Sequence, residues 1–224
     1  MTSPPLIGAR IRCGDNRCYD ARVALDNEIP FVLASSSPAR LRILQNAGIY
    51  PEAVASGVGE VTEDGLNTAT IVEVLAERKA AVVAASRPEA LVLGCDSLLD
   101  FDHVTYGKPE SAQQAAQMWR RMSGRKGTLL TGHCLIQGTT GLVVRRIGKT
   151  QVRFGTPTEA EIEAYVAAGE PTTMAGAFSL EGLGAPFIDG IDGDPSNVIG
   201  LSLPLLRRML AELGLAITDL WRRP

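Results

Sequence analysis

The chain has 224 residues, 45% of them apolar and 21% charged, a globular composition that excludes disorder over the whole length. Its net charge of −3 (22 basic against 25 acidic residues) excludes the broad basic face that a nucleic-acid backbone requires, but leaves room for a small basic pocket holding one phosphorylated ligand. Apolar runs fall far short of the roughly 18–20 residues of a membrane span, and the opening MTSPPLIGARIRCGDNRCYD lacks the apolar core of a signal peptide. The expected location is therefore the cytoplasm, with neither membrane nor nucleic acid as partner.

Residues 1–29 mix Pro, Gly, Asp, Asn and Arg without periodicity and read as a loose N-terminal extension; residues 30–224 read as a single domain. Cys13 and Cys18 form a C-x4-C pair with no second pair to complete a structural zinc site.

FVLA (31–34) is a buried strand by its apolar run. A helix follows, with Ser37 as N-cap, Pro38 in the first turn and Gly48 as its stop. PEAVAS (51–56) reads as a second strand, and Thr68 to Ala85 as a helix. LVLGC (91–95) is a strand that ends at Asp96, and VTYGKP (104–109) a short strand and turn. A helix over 110–123 closes at Ser123-Gly124. TLLTGHCLI and GLVVRRIGKTQVRF then make a long antiparallel hairpin turning near Gly138–Gly141. Thr158 and Glu161 form a capping box that opens a helix to Ala168. The glycine-rich stretch 176–200 reads as loops and short strands, before a last helix over 203–213. Alternating strands and helices followed by antiparallel strands predict an α/β fold, a mixed sheet flanked by helices.

Several residues could carry chemistry. Ser35, Ser36 and Ser37 stand at a helix N-terminus with Arg40 on its first turn, a device that holds phosphate and is also an ordinary capped helix. Asp96 at a strand end could hold a divalent ion or take a proton from water; it could equally cap a turn. Cys95 reads as a packed small apolar residue. Lys79, Lys108 and Glu60, each taken alone, are ordinary surface charges. DGIDGDPSN lacks the glycine and glutamate of a calcium loop, and the G-x-G of EGLG (181–184) is too short for a dinucleotide fingerprint.

In their order, LASSSPARLRILQNAG, AERKA, LGCDSLLD, YGKP, LLTGHCLI, FGTPTEAEIEAYVAAGEP and AGAFSLEGLGAPFIDGIDGDPSNVIGLSLPLL resemble the Maf family of nucleotide pyrophosphatases, above all its actinobacterial members. The resemblance implies an elongated mixed sheet with two lobes and a central cleft, an architecture shared with inosine-triphosphatase-like enzymes. It implies hydrolysis of a nucleoside triphosphate to a monophosphate and pyrophosphate, used to remove unwanted nucleotides and linked to cell-division arrest. By the same resemblance, Asp96 is the catalytic aspartate and a metal ligand, with Glu60 as a second ligand for Mg²⁺ or Mn²⁺. Ser35, Ser37, Arg40, Lys79 and Lys108 bind the substrate phosphates.

The sequence departs from the family where one of two arginines is Ala39, where an aspartate is Gly59, and at Ser97 and Glu181. Ala39, Ser97 and Glu181 occupy the positions through which the family selects its base, and the set matches neither described subclass. The expected partner is a nucleoside triphosphate, with a homodimer as the assembly. An inosine-triphosphate-type pyrophosphatase and a non-catalytic nucleotide-binding regulator of division are the alternatives.

Overall fold

The structure of the protein, a computed structural model, describes residues 29–59 and 65–221. The expected N-terminal extension with Cys13 and Cys18, and Glu60, lie outside the described residues.

Seven strands form one mixed sheet: β1 (Phe31–Leu33), β2 (Glu52–Ala53), β3 (Leu91–Phe101), β4 (Val104–Tyr106), β5 (Lys126–Gln137), β6 (Leu142–Phe154) and β7 (Ile188–Asp192). Their order is β2-β1-β3-β5-β6-β7, with β4 also on β3. β1 runs parallel to β2 and β3, and the remaining pairings are antiparallel. Helices α1 (Pro38–Asn46), α2 (Thr68–Ala85), α3 (Ala112–Met122), α4 (Glu159–Ala167), α5 (Pro195–Ile199) and α6 (Leu203–Glu212) flank it. Among the described residues no helix is long and apolar enough to cross a membrane.

Local chemistry explains most of these boundaries. Ser37 caps α1 by accepting from Arg40 N, and Asn67, Ser111 and Ser202 cap α2, α3 and α6 in the same way. Thr158 and Glu161 complete a reciprocal capping box on α4.

Two strand expectations are corrected. The second strand is only Glu52–Ala53, because β1, its partner, is itself short. β3 does not stop at Asp96 but runs on to Phe101, since β5 pairs with it continuously from Leu91 to Asp100. Asp96 is thus mid-strand. The stretch 176–200 holds, besides loops and β7, the short helix α5 and 3₁₀ turns at Ala175–Ala177 and Ala185–Phe187.

The opposite edge of β3 is where the site arises. β1 pairs with Leu91–Leu93 and β4 with Leu99–Phe101. Between them, residues 94–98 have no strand partner on that edge among the described residues, and Asp96 stands at the middle of the gap. Besides a cluster of Val32, Ala76, Ala80, Val83 and Val92 under α2, two larger cores lie to either side of the gap along β3. One packs Leu33, Leu44, Leu93, Leu206 and Met209 between α1, α6 and the sheet. The other packs Trp119, Phe101, Phe154, Tyr165 and Phe178 under α3 and α4. These are the two lobes.

α2 lies unusually close to the sheet. A Cβ on Gly94 would stand 2.3 Å from Ala76 O, and one on Gly132 2.0 Å from Val72 O. Only glycine permits that approach. Val92, Gly94 and Asp96 share the face that α2 covers, by the two-residue period of a strand.

Candidate active site

The gap in β3 opens into a cleft of about 1060 Å³. Every expected site residue in the described part of the chain lines it: Ser35, Ser37, Ala39, Arg40, Lys79, Asp96, Ser97, Lys108 and Glu181.

Lys79 and Asp96 form its floor. Lys79 Nζ donates to Asp96 Oδ1 at 2.5 Å, with the two side chains only 12% and 9% exposed. The bond joins α2 to β3 and depends on the glycine-mediated approach. Asp96 Oδ2 makes no hydrogen bond among the described residues. Cys95, one residue earlier, points to the opposite face and is fully buried. Burial pushes its thiol up to about 12, so it is inert packing and not a nucleophile.

Arg40 is held on three sides. Its Nε donates to Gly200 O at 2.8 Å, Nη1 to Ser35 Oγ at 3.2 Å and Nη2 to Ser97 Oγ at 3.0 Å. Ser97 Oγ lies 2.9 Å from Thr131 Oγ1, which donates to Asn197 O at 3.0 Å. The hydroxyl of Ser97 is thereby committed to Arg40 and Thr131, and acts on the cleft through Arg40. Ser35 Oγ accepts from Ser37 N as well. Among the described residues the N–H groups of Ser36 and Ala39 have no acceptor. Two outward donors at a helix start, beside a fixed guanidinium, suit a phosphate oxygen. Lys108, on the turn after β4, is exposed and pairs with no carboxylate among the described residues.

On the other wall Glu181 meets Arg42 across the mouth, Nη2 to Oε2 at 3.1 Å, with both side chains about half exposed. Arg42 and Glu170, which also line the cleft, were not foreseen from the sequence. Glu170 grips the backbone of residues 183–184, and bonds to backbone N–H groups leave no residue-type pattern to read.

No group of three or more His, Cys, Asp or Glu residues that could hold a metal occurs among the described residues. Asp96 is the one carboxylate on the floor of the cleft among them.

A family model described as Maf-like protein matches residues 30–213. A nucleoside triphosphate pyrophosphatase of Streptomyces coelicolor is 57% identical over 193 residues, covering 85% of this chain and 93% of that protein. Proteins of the same name from Gloeothece citriformis and Saccharopolyspora erythraea are 50% and 49% identical, each over 87% of this chain and 99% and 98% of their own lengths.

Proposed function

The chain belongs to the Maf-like protein family, and on that premise we propose that it hydrolyses nucleoside triphosphates to the monophosphate and pyrophosphate. The observation that carries this reading is the Lys79–Asp96 pair on the floor of a cleft whose rim supplies Arg40, Lys108 and the free N–H groups of the α1 start. Substrate and leaving group are both polyanions. Cations and backbone donors fixed in advance stabilise the charge that moves onto pyrophosphate as the α–β bond breaks. Arg40 needs no reorganisation, because three protein acceptors already hold it in place. Asp96 takes the proton of the attacking water, and the ammonium of Lys79 orients its carboxylate.

A divalent ion, Mg²⁺ or Mn²⁺, belongs to the same reading. The open Oδ2 of Asp96 fits one ligand of an ion that takes its other ligands from phosphate oxygens and water, the usual manner of Mg²⁺. When bound it would polarise the phosphoryl oxygens. Glu60 is the further ligand proposed.

The reading extends to removal of unwanted nucleotides in the cytoplasm by a homodimer. The acidic net charge supports a free nucleotide rather than a nucleic acid as partner.

The test is pyrophosphate release from a panel of canonical and modified nucleoside triphosphates, with and without Mg²⁺ or Mn²⁺. The expected products are pyrophosphate and the monophosphate. Release of orthophosphate would overturn the bond assignment. Nucleotide binding without turnover would make the protein a regulator instead.

A further inference from the structure

The EGLG run at 181–184 has two glycines that hydrolysis at Asp96 does not explain. One carboxylate, with the tyrosine that holds it, explains both. Glu170 Oε1 accepts from the Tyr165 hydroxyl at 2.9 Å and from Gly184 N at 3.0 Å, and Oε2 accepts from Leu183 N at 3.0 Å. A Cβ on Gly182 would lie 2.5 Å from Glu170 Oε2, and one on Gly184 2.3 Å from the Tyr165 hydroxyl oxygen. The loop closes onto Glu170 because neither position carries a side chain. Tyr165 is buried, its ring packed edge-on to Trp119 and tilted against Phe187, so the carboxylate rests on a fixed aromatic base.

The loop faces the cleft through Ser179, Glu181 and Gly182, and Glu170 lines the same wall. Glu170 is taken up by its loop and Arg42 is paired with Glu181, so this wall offers a triphosphate chain no free cation, whereas Arg40 and Lys79 on the other side attract it. The wall of Glu170 and Glu181 therefore meets the nucleoside end of the substrate.

We propose that Glu170 is a positioning residue for nucleoside selection: its carboxylate fixes the 179–184 loop and so sets where Glu181 stands against the base. The proposal rests on the reading of the protein as a nucleoside triphosphate hydrolase. Glu170→Gln is the informative variant. The amide keeps shape and one acceptor, but turns an NH₂ toward a backbone N–H that needs an acceptor.

Two readouts on the full chain test it. The first is amide hydrogen exchange at Leu183 and Gly184, expected to speed up about tenfold or more as the bond to an N–H is lost. The second is kcat/KM for GTP, CTP, UTP and dTTP. The ratio of best to worst substrate is expected to shrink about fivefold or more, the scale of one lost hydrogen bond. That change should come mainly through KM, because the phosphate contacts remain. Tyr165→Phe removes one support of Glu170 and should move both readouts the same way by less; it carries the test if Glu170→Gln does not fold. Unaltered exchange overturns the clamp. Faster exchange with an unaltered substrate ratio, or an equal kcat loss for all four nucleotides at constant KM, overturns the link to selection. If the unmodified protein releases no pyrophosphate, the hydrolase reading fails separately. Equilibrium binding of the same four nucleotides then decides, and unaltered affinity ratios in Glu170→Gln overturn the proposal.

Discussion

Lys79 reaches Asp96 because glycines at 94 and 132 let helix α2 lie directly on strands β3 and β5. The pair is nearly dry, so each partner answers for the other's charge. Asp96→Asn retains an acceptor for the Lys79 ammonium but loses the site for a proton. Turnover should fall about 10²- to 10⁴-fold, the usual scale of a lost general base. The Lys79 ammonium is left with a neutral acceptor only, so the melting temperature, followed by circular dichroism, should fall while the folded spectrum is retained. Lys79→Met strands a buried carboxylate, at a cost of about 3–5 kcal/mol. More than a tenth of the original rate in Asp96→Asn would remove Asp96 from the chemistry.

Lys108 and Arg40 should separate by their stability. Lys108 is exposed with no carboxylate partner among the described residues, so Lys108→Ala should lower kcat/KM and leave the Tm in place. Arg40 ties Gly200, Ser35 and Ser97 together, so Arg40→Ala should lower both. Loss of one charge-assisted contact to phosphate corresponds to about 1.5–3 kcal/mol, roughly 10- to 150-fold in kcat/KM. Unchanged kcat/KM in both variants would put the phosphates elsewhere.

How legible this site was in the sequence follows from the range of each interaction. Ser37 at the start of α1 and the Thr158–Glu161 box are local signals, and the helices they cap stand where the spacing puts them. The strand end expected at Asp96 follows from the polar residues that interrupt the apolar run, whereas the pairing that prolongs β3 comes from Thr128–Thr131 of β5, a contact distant in sequence. Arg40 carried a signal of charge at a helix start, but its bonds to Ser97 and Gly200 span 57 and 160 positions. Arg42 gave no signal, since its partner Glu181 is 139 residues distant.

His133 gives the stability a pH dependence of its own. The ring is 1% exposed; Nδ1 donates to Thr131 O at 3.0 Å and Nε2 accepts from Ser202 N at 2.9 Å. Burial, above all, lowers its pKa from 6.5 to about 4, so the folded protein holds it neutral. The unfolded chain takes up a proton near pH 6.5, and the folded chain only near pH 4. Stability is therefore fully present above pH 6.5 and drains as pH falls through this window, by roughly 3 kcal/mol at most. Denaturant midpoints measured from pH 7.5 to 4.5 should decline, and the decline should be shallower in His133→Gln. Parallel slopes in the two proteins would show that another group titrates.

Glu181 and Arg42 make the remaining prediction, about the base. Arg42 occupies Glu181 Oε2 and leaves Oε1 as an acceptor at the cleft mouth. A carboxylate accepts and never donates, so it favours a base edge rich in donors. Guanine offers N1–H and N2–H₂ side by side, and cytosine offers N4–H₂. Uracil and thymine offer one N3–H between two carbonyls, which the carboxylate repels. The amide in Glu181→Gln can meet both kinds of group, so kcat/KM for UTP and dTTP should rise relative to GTP by about 2- to 10-fold, the worth of one neutral hydrogen bond. Arg42→Ala should act in the opposite sense, because it frees the second carboxylate oxygen and removes the neighbouring positive charge. Neither change should move the Tm by much, since a half-exposed ion pair contributes only about 0.2–1 kcal/mol. Relative kcat/KM for GTP, CTP, UTP and dTTP in the three proteins measures this. An order of preference that survives Glu181→Gln unaltered would mean that the base is chosen by other residues of the cleft.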